Sequence, residues 1–350
     1  MNNIRDINPS DFLNLFSPEK KIKFLLRYAI LAPSTHNSQP WLFKIKDNSC
    51  EVYYSADLKI PNADPEERDL FISIGCAIEN LIIAAKYFNV FDSIHYRLSY
   101  NDNLVAEIKF KNLDSNDLKT NLELELLLNT VINRINARGI FRDEPVSQNI
   151  IINIFKKISE ENEKYEIGGF DINFLKEKEK IEKLAELTGN GIKTAYRSKE
   201  FRKEMSKWLR NNFTFKKDGL PGYALKMPAL ISFFFPTLIR YINIGNKLAD
   251  LNKRSIKSAP LVCVISAEEI ERPLIWIKTG RLVERLMLEF NKEGYNTSIF
   301  VASIEMGDVY KKVQQVIDTQ KRPQFIFVVG KVDSLHRPTD RFSVESKIIK

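Results

Sequence analysis

The pattern Gly-x-x-[Ile/Val]-Glu-x-Leu occurs twice in this chain, as GCAIENL at 75–81 and as GRLVERL at 280–286, at one offset of 205 residues. At that offset Ile72 also matches Ile277, and Ile94 matches Ile299. A single seven-residue match can arise by chance in a leucine-rich chain. Here, however, each copy lies late in its part of the chain, in a run suited to a long helix, and a strand follows it. Such a repeat constrains the fold to two related halves, with their long helices packed on one another about a two-fold axis. At 350 residues the chain is long enough for two halves that share an interface.

The pattern of apolar residues fills in the rest. Ile22, Leu25, Leu26, Ala29 and Ile30 fall on one helical face, and Pro33 stops that helix. Trp41–Ile45 and Glu51–Tyr54 read as strands, Asp69–Tyr87 as a long buried helix, and Ile94–Tyr100 and Val105–Lys111 as two further strands. A polar joint at 112–121 leads to a helix from Leu122 to about Asn136. Helices are then expected around 148–160, 173–188 and 197–210. Residues 211–259 hold the turn DGLPGY and an apolar segment, MPALISFFFPTLI. A strand at Pro260–Ser266, a helix at Leu274–Lys292 and a core strand at Gln324–Gly330 complete the chain. The expected class is α+β, each half having a mixed, mainly antiparallel sheet flanked by helices. The halves are 1–118 and 119–350, the second with an inserted lid-like segment near 190–258.

Composition excludes several functions. With 44% apolar and 28% charged residues the chain can build an ordinary globular core. A net charge of +8 suits an anionic ligand such as a phosphate, and also nucleic acid. The acids are interleaved with the bases, as in KEKEKIEKLAEL (176–187), which marks solvated helix faces. No nucleic-acid module or aromatic-interleaved basic patch occurs, so no nucleic-acid partner is expected. Cys50, Cys76 and Cys263 are far apart and form no CxxC pair, which leaves neither a metal site nor a disulfide framework. Cys76 and Cys263 lie in apolar runs and are expected to be buried and inert. The first residues lack a signal-peptide layout, and a cytoplasmic location is expected. MPALISFFFPTLI (227–239) falls short of the roughly 20 apolar residues of a membrane span, so it reads as a buried or lid-forming segment and no membrane partner is expected.

Two stretches carry chemistry. In Ala32-Pro-Ser-Thr-His-Asn-Ser-Gln-Pro-Trp41, prolines at both edges stiffen a loop of six polar side chains that enters a strand. Such a loop can grip a flat heteroaromatic ring, or it can be a capping turn whose polar groups satisfy one another. In Asn133-Arg-Ile-Asn-Ala-Arg138-Gly-Ile-Phe141, two arginines four apart at a helix end lie on one face. They are either a solvated surface pair or a planar fork for a phosphate. His36, His95 and His336 lack the partners of a nucleophilic triad, a turn-stabilising role suits His36, and no catalytic residue is assigned.

The run APSTHNSQPWLF resembles the flavin-loop signature of the nitroreductase family, and the arginine stretch, followed by Glu144-Pro-Val146, resembles that family's phosphate motif. The resemblance implies a nitroreductase-like fold and non-covalently bound FMN. It implies that Pro33, Ser34, Thr35 and Asn37 face the flavin ring, that Trp41 belongs to the sheet core, that Arg134 and Arg138 hold the phosphate, and that Asn136 lies near the ring or ribityl chain. The first half has the loop without the arginines and the second has the arginines without the loop, so one complete site is expected. This complementarity resembles the Acg-type branch of fused pseudo-dimers, a monomer mimicking a homodimer, with further dimerisation open. Gly294–Phe300 is similar to a strand entry that borders the flavin and suggests Ser298. His336–Arg341 resembles the family's closing Pro-Arg segment, so Arg337 or Arg341 would add a cation to the phosphate unless this is a frayed basic tail. The implied function is an FMN-dependent NAD(P)H oxidoreductase that works by a ping-pong cycle on nitro-aromatic, quinone or similar acceptors. The alternative is a lidded FMN-binding or flavin-storage protein, because 211–245 lies where a lid would close.

Overall fold

A computed structural model describes residues 4–98, 102–114, 121–165, 169–270 and 272–350. Helix α1 (Pro18–Ala29) starts where the Ser17 hydroxyl accepts from the Lys20 amide, with proline at its first position, and buries Ile22, Leu25 and Leu26. Strands β1 (Trp41–Lys46) and β2 (Ser49–Tyr54) form a hairpin. Helix α2 (Arg68–Tyr87) crosses the core, and β3 (Phe91–Tyr96) and β4 (Leu104–Phe110) complete a sheet of order β1-β2-β4-β3. After α3 (Leu122–Asn133) and α4 (Gln148–Tyr165), β5 (Phe170–Leu175) opens the second sheet. Next come α5 (Lys178–Arg197), α6 (Lys199–Trp208), the two-residue strands β6 (Leu209–Arg210) and β7 (Leu220–Pro221), α7 (Ala229–Tyr241) and α8 (Gly245–Ser258). Strand β8 (Leu261–Ala267), α9 (Leu274–Lys292), β9 (Asn296–Ile299), α10 (Ala302–Glu305), α11 (Val309–Ile317) and β10 (Arg322–Gly330) finish the chain, with sheet order β5-β8-β10-β9. The class is α+β, and every pairing within the two four-stranded sheets is antiparallel.

The two sheets are joined by α2 packed on α9. Gly75 and Gly280 make this possible: a Cβ on Gly75 would stand 2.1 Å from the Ile277 carbonyl oxygen, and one on Gly280 2.0 Å from that of Ile72. The contact is reciprocal at the offset of 205. Beside it Glu79 of α2 forms a buried ion pair with Arg281 of α9 at 3.0 Å, and Arg281 Nη1 donates to the Tyr96 hydroxyl at 2.7 Å. One apolar core runs from Ile22 and Trp41 through both helices to Cys263 and Phe327. The tail returns to the first sheet, where the Ile349 amide donates to the Phe43 carbonyl.

Several expectations need correction. The helix expected at 173–188 is two elements: β5, whose Phe170-x-Ile172-x-Phe174 alternation pairs with β8, and α5, which starts at Lys178. Helix α3 ends at Asn133 instead of Asn136, because Arg134 takes an extended ψ of 132°. Residues 211–259 are largely helical, with α7 and α8 unforeseen. The apolar segment there is not buried: α7 turns only Ser232 and Ile239 fully inward, while Leu230, Phe233 and Phe234 face outward. The proposed boundary at 118/119 and the end of the strand expected to reach Tyr100 lie outside the described residues.

Candidate functional site

A cavity of about 300 Å³ opens beside the α2–α9 contact. Pro33–Asn37 wall one side, Arg134–Asn136 and Arg138 another, and the tail contributes His336, Thr339 and Arg341. Ile72, Ile299, Val301 and Phe325 form its apolar floor, and Phe201, Leu220 and Ala224 of the 190–258 segment also line it.

The Pro33–Gln39 loop is held by its own polar groups. His36, Asn37 and Gln39 all have positive φ, at 53°, 56° and 53°. The Ser34 hydroxyl accepts from the Gln39 amide at 2.9 Å. The Asn37 side chain is fully engaged: its amide donates to the Lys217 and Asp340 carbonyls, and its oxygen accepts from Arg341 at 2.7 Å. The Gln39 amide donates to the Lys217 carbonyl at 2.7 Å, and its oxygen accepts from the Phe342 amide at 2.8 Å. Thus Asn37 and Gln39 fasten the lid-like segment and the tail to the loop, while Pro33, Ser34, Thr35 and His36 present the surface. Trp41 is fully buried in β1.

The arginines reach the cavity without sharing a helix face. Beyond α3 the backbone is extended, and Asn136 bridges to Thr297 of β9, so 134, 136 and 138 follow the two-residue period of a strand. Asn136 Oδ1 accepts from the Ile299 amide, which locks the segment to β9. Arg134 is buried and its Nε meets Glu284 at 3.4 Å, but its Nη1 has no partner among the described residues. Arg138 makes no hydrogen bond or ion pair among them. Arg341 spends Nη1 and Nη2 on Asn37, Thr339 and the Leu31 and Ala32 carbonyls, leaving Nε unmatched. Burial, together with Arg5 and Arg134, pulls the Arg341 guanidinium down to about 9. Arg5, which also lines the cavity, is pulled to about 10 by burial and Arg134. Glu284, raised by burial against the pull of Arg134, is the carboxylate that faces this group. The arrangement therefore holds positive charge and vacant donors among buried groups, which favours an anion.

At the opposite wall stand Asp69 and Glu305. Arg68 reaches both, Asp69 at 3.0 Å and Glu305 at 3.6 Å, and Thr35 Oγ1 points at Asp69 at 3.5 Å. Burial and the neighbouring Asp69 push the Glu305 carboxyl well above its ordinary value, against the pull of Arg68. Burial lowers the His36 imidazole to about 4, so it is neutral, and its Nε2 has no partner among the described residues. The Cys76 thiol, a cavity neighbour raised by burial, donates to the Gly280 carbonyl.

Two of the expected site residues stand apart from the cavity. Ser298 is fully buried in β9 behind Ile299, with its hydroxyl unmatched, and Arg337 lies outside, stacked on the Tyr223 ring at 3.9 Å. Arg5, Asp69, Glu284 and Glu305 were missed. Asp69 and Glu284 read as ordinary polar positions of two apolar helices, and Arg5 belongs to no motif. Only the clustering of charge inside the fold reveals them.

The chain so defined is an α+β protein in which two antiparallel sheets meet at a helix pair and enclose a polar-walled cavity with a basic end. No protein-family model matches it. It is similar to proteins from two strains of Mycobacterium tuberculosis whose names assign them provisionally to the NAD(P)H nitroreductases, with 32% identity over 69 residues. That match spans one fifth of this chain and one fifth of theirs. Among solved structures, an FMN- and NADPH-dependent nitroreductase from a Sphigopyxis strain overlaps 63% of this chain and 96% of its own, at 13% identity and a TM-score of 0.41. Nitroreductase A from Vibrio parahaemolyticus overlaps 60% of this chain and 68% of its own, at 11% identity and a TM-score of 0.36.

Proposed function

We propose that the chain is an FMN-dependent NAD(P)H oxidoreductase of the nitroreductase type, built as a fused pseudo-dimer with one flavin site. One observation carries the reading: buried guanidinium donors left without partners stand at one end of a cavity with an apolar floor, away from the Asp69 and Glu305 carboxyls. That donor set fits a phosphate dianion, which accepts several charge-assisted hydrogen bonds. The apolar floor and the Pro33–His36 wall fit a flat ring. Arg134, Arg138 and Arg341 would hold the phosphate, Asn136 the ribityl side, and Pro33, Ser34 and Thr35 the ring. When bound, FMN supplies a ring that takes up hydride and passes electrons on.

The chain's own contribution is electrostatic. The arginines offset the phosphate charge, neutral His36 adds none, and the upward push on the Glu305 carboxyl lessens the negative charge beside Asp69. Nitro-aromatic, quinone or similar acceptors are the substrate class. The reciprocal Gly75–Gly280 contact supports the pseudo-dimer reading, with residues 1–118 and 119–350 as its halves. A second reading, flavin sequestration with little turnover, is favoured by the bonds from Asn37 and Gln39 to Lys217, which close the 190–258 segment over the cavity.

The purified protein is expected to be yellow and to release FMN on denaturation; a colourless protein indifferent to added FMN overturns the proposal. Anaerobic mixing with NADPH separates the two readings, since rapid bleaching marks a reductase and reduction by dithionite alone marks a store. Arg138→Ala is expected to lose about 1.5–3 kcal/mol of FMN affinity with its melting curve unchanged. Full flavin occupancy in that variant would mean that the phosphate lies elsewhere.

A further inference from the structure

Helix α7 is an unusual element for a protein surface. On its outward side Leu230 is 75% exposed, Phe234 62% and Tyr241 71%, with Ile231, Phe233 and Leu238 beside them. Phe213, 70% exposed, and Phe215, 93% exposed, stand in the loop that is pinned to α7: the Asn212 amide donates to the Ser232 hydroxyl at 3.0 Å and its side chain to the Met227 carbonyl at 3.1 Å. So much exposed apolar surface calls for an occupant.

Charge indicates which one. From Gly219 to Ala249 the sequence has no aspartate or glutamate, while Lys226, Arg240 and Lys247 fall in that span and Lys216 just before it. Lys216, Lys226, Arg240 and Lys247 are exposed and make no ion pair among the described residues. Neighbouring α6 adds exposed Lys203 and Lys207, also without ion pairs among them. Asp218, the adjacent acid, is neutralised by Arg210 at 2.8 Å. A second copy docked here about a two-fold axis would bring these cations together, which disfavours self-association. An exposed aromatic-aliphatic helix flanked by lysine and arginine instead matches the interfacial helices that lie in a lipid headgroup layer. At 13 residues α7 is too short to span a bilayer, which needs about 20.

We infer that α7 and the Phe213–Phe215 loop dock the protein on an anionic phospholipid surface. The helix lies in the interface plane, with its aromatic side chains in the acyl boundary and Arg240 and the flanking lysines among the lipid phosphates. This revises the expectation that the protein has no membrane partner, while leaving it a surface protein and not a spanning one. Elements next to the docked segment, through Phe201, Leu220 and Ala224, line the cavity wall. The docking itself does not depend on the flavin reading.

The test is co-sedimentation of the full chain with vesicles of equimolar phosphatidylglycerol and phosphatidylcholine, and with vesicles of phosphatidylcholine alone. Binding is expected to the anionic vesicles and to weaken as salt rises. Phe233→Ser/Phe234→Ser and, separately, Lys216→Glu/Arg240→Glu should each weaken it about tenfold or more while thermal melting stays unchanged. These positions are solvent-facing, so both variants should fold. Absence of vesicle binding overturns the inference, whether the chain is monomeric or pairs through α7 in sedimentation analysis. Equal binding to neutral vesicles, or binding untouched by both variants, overturns it as well.

Discussion

His36, Asn37 and Gln39 hold left-handed backbone within four residues, a conformation that asparagine tolerates and the other two adopt at some cost. The cost is met by anchors from distant parts of the chain: the Lys217 carbonyl, the Phe342 amide and Lys347, whose ammonium donates to the Gln39 carbonyl at 2.6 Å. Strain of this kind collects where a site must be shaped in advance. His36 itself offers a pH prediction. Its folded value of about 4 lies below the unfolded value of 6.5, so the unfolded chain binds its proton first as pH falls. The stability that neutral His36 contributes is therefore present above pH 6.5 and lost between 6.5 and 4. Urea titrations should show the wild-type protein losing stability relative to His36→Gln across that window. Parallel curves for the two proteins would mean that the imidazole is not buried neutral.

At the scale of elements, the α2–α9 crossing is the contact least able to adapt. Gly75→Ala should cost about 3 kcal/mol by urea unfolding, because the added methyl meets backbone, which cannot rotate away. Gly294→Ala is the control: its Cβ meets nothing, and the loss is about 1 kcal/mol from its φ of 82° alone. Equal losses at the two glycines would show that α9 shifts to accommodate the methyl. This crossing was legible in the sequence because both glycines sit in one repeated pattern and period 3.6 marks both helices. β5 and α7 were not. The Phe170–Leu175 alternation is short and merges into a helical charge pattern, so only its pairing with β8 identifies it. α7 carries Pro236 inside an apolar run, and no local signal says which of its faces meets solvent. The site was half legible for a related reason: loop and arginine motifs are local in sequence, whereas Arg5, Asp69, Glu284 and Glu305 converge only in three dimensions.

At the scale of the whole molecule, the two sheets share one apolar core and a buried ion network, so they should not unfold separately. A single cooperative transition is expected in calorimetry, and two resolved transitions would contradict it. Glu79→Ala should lower the midpoint of that one transition, costing about 3–5 kcal/mol, since it leaves Arg281 buried without its carboxylate.

Arg341, Phe342 and Lys347 brace the Pro33–Gln39 loop across some 300 positions of sequence. During synthesis the loop leaves the ribosome well before the groups that hold it in shape. A nascent chain that has not yet reached Arg341 would therefore lack the groups that shape this pocket.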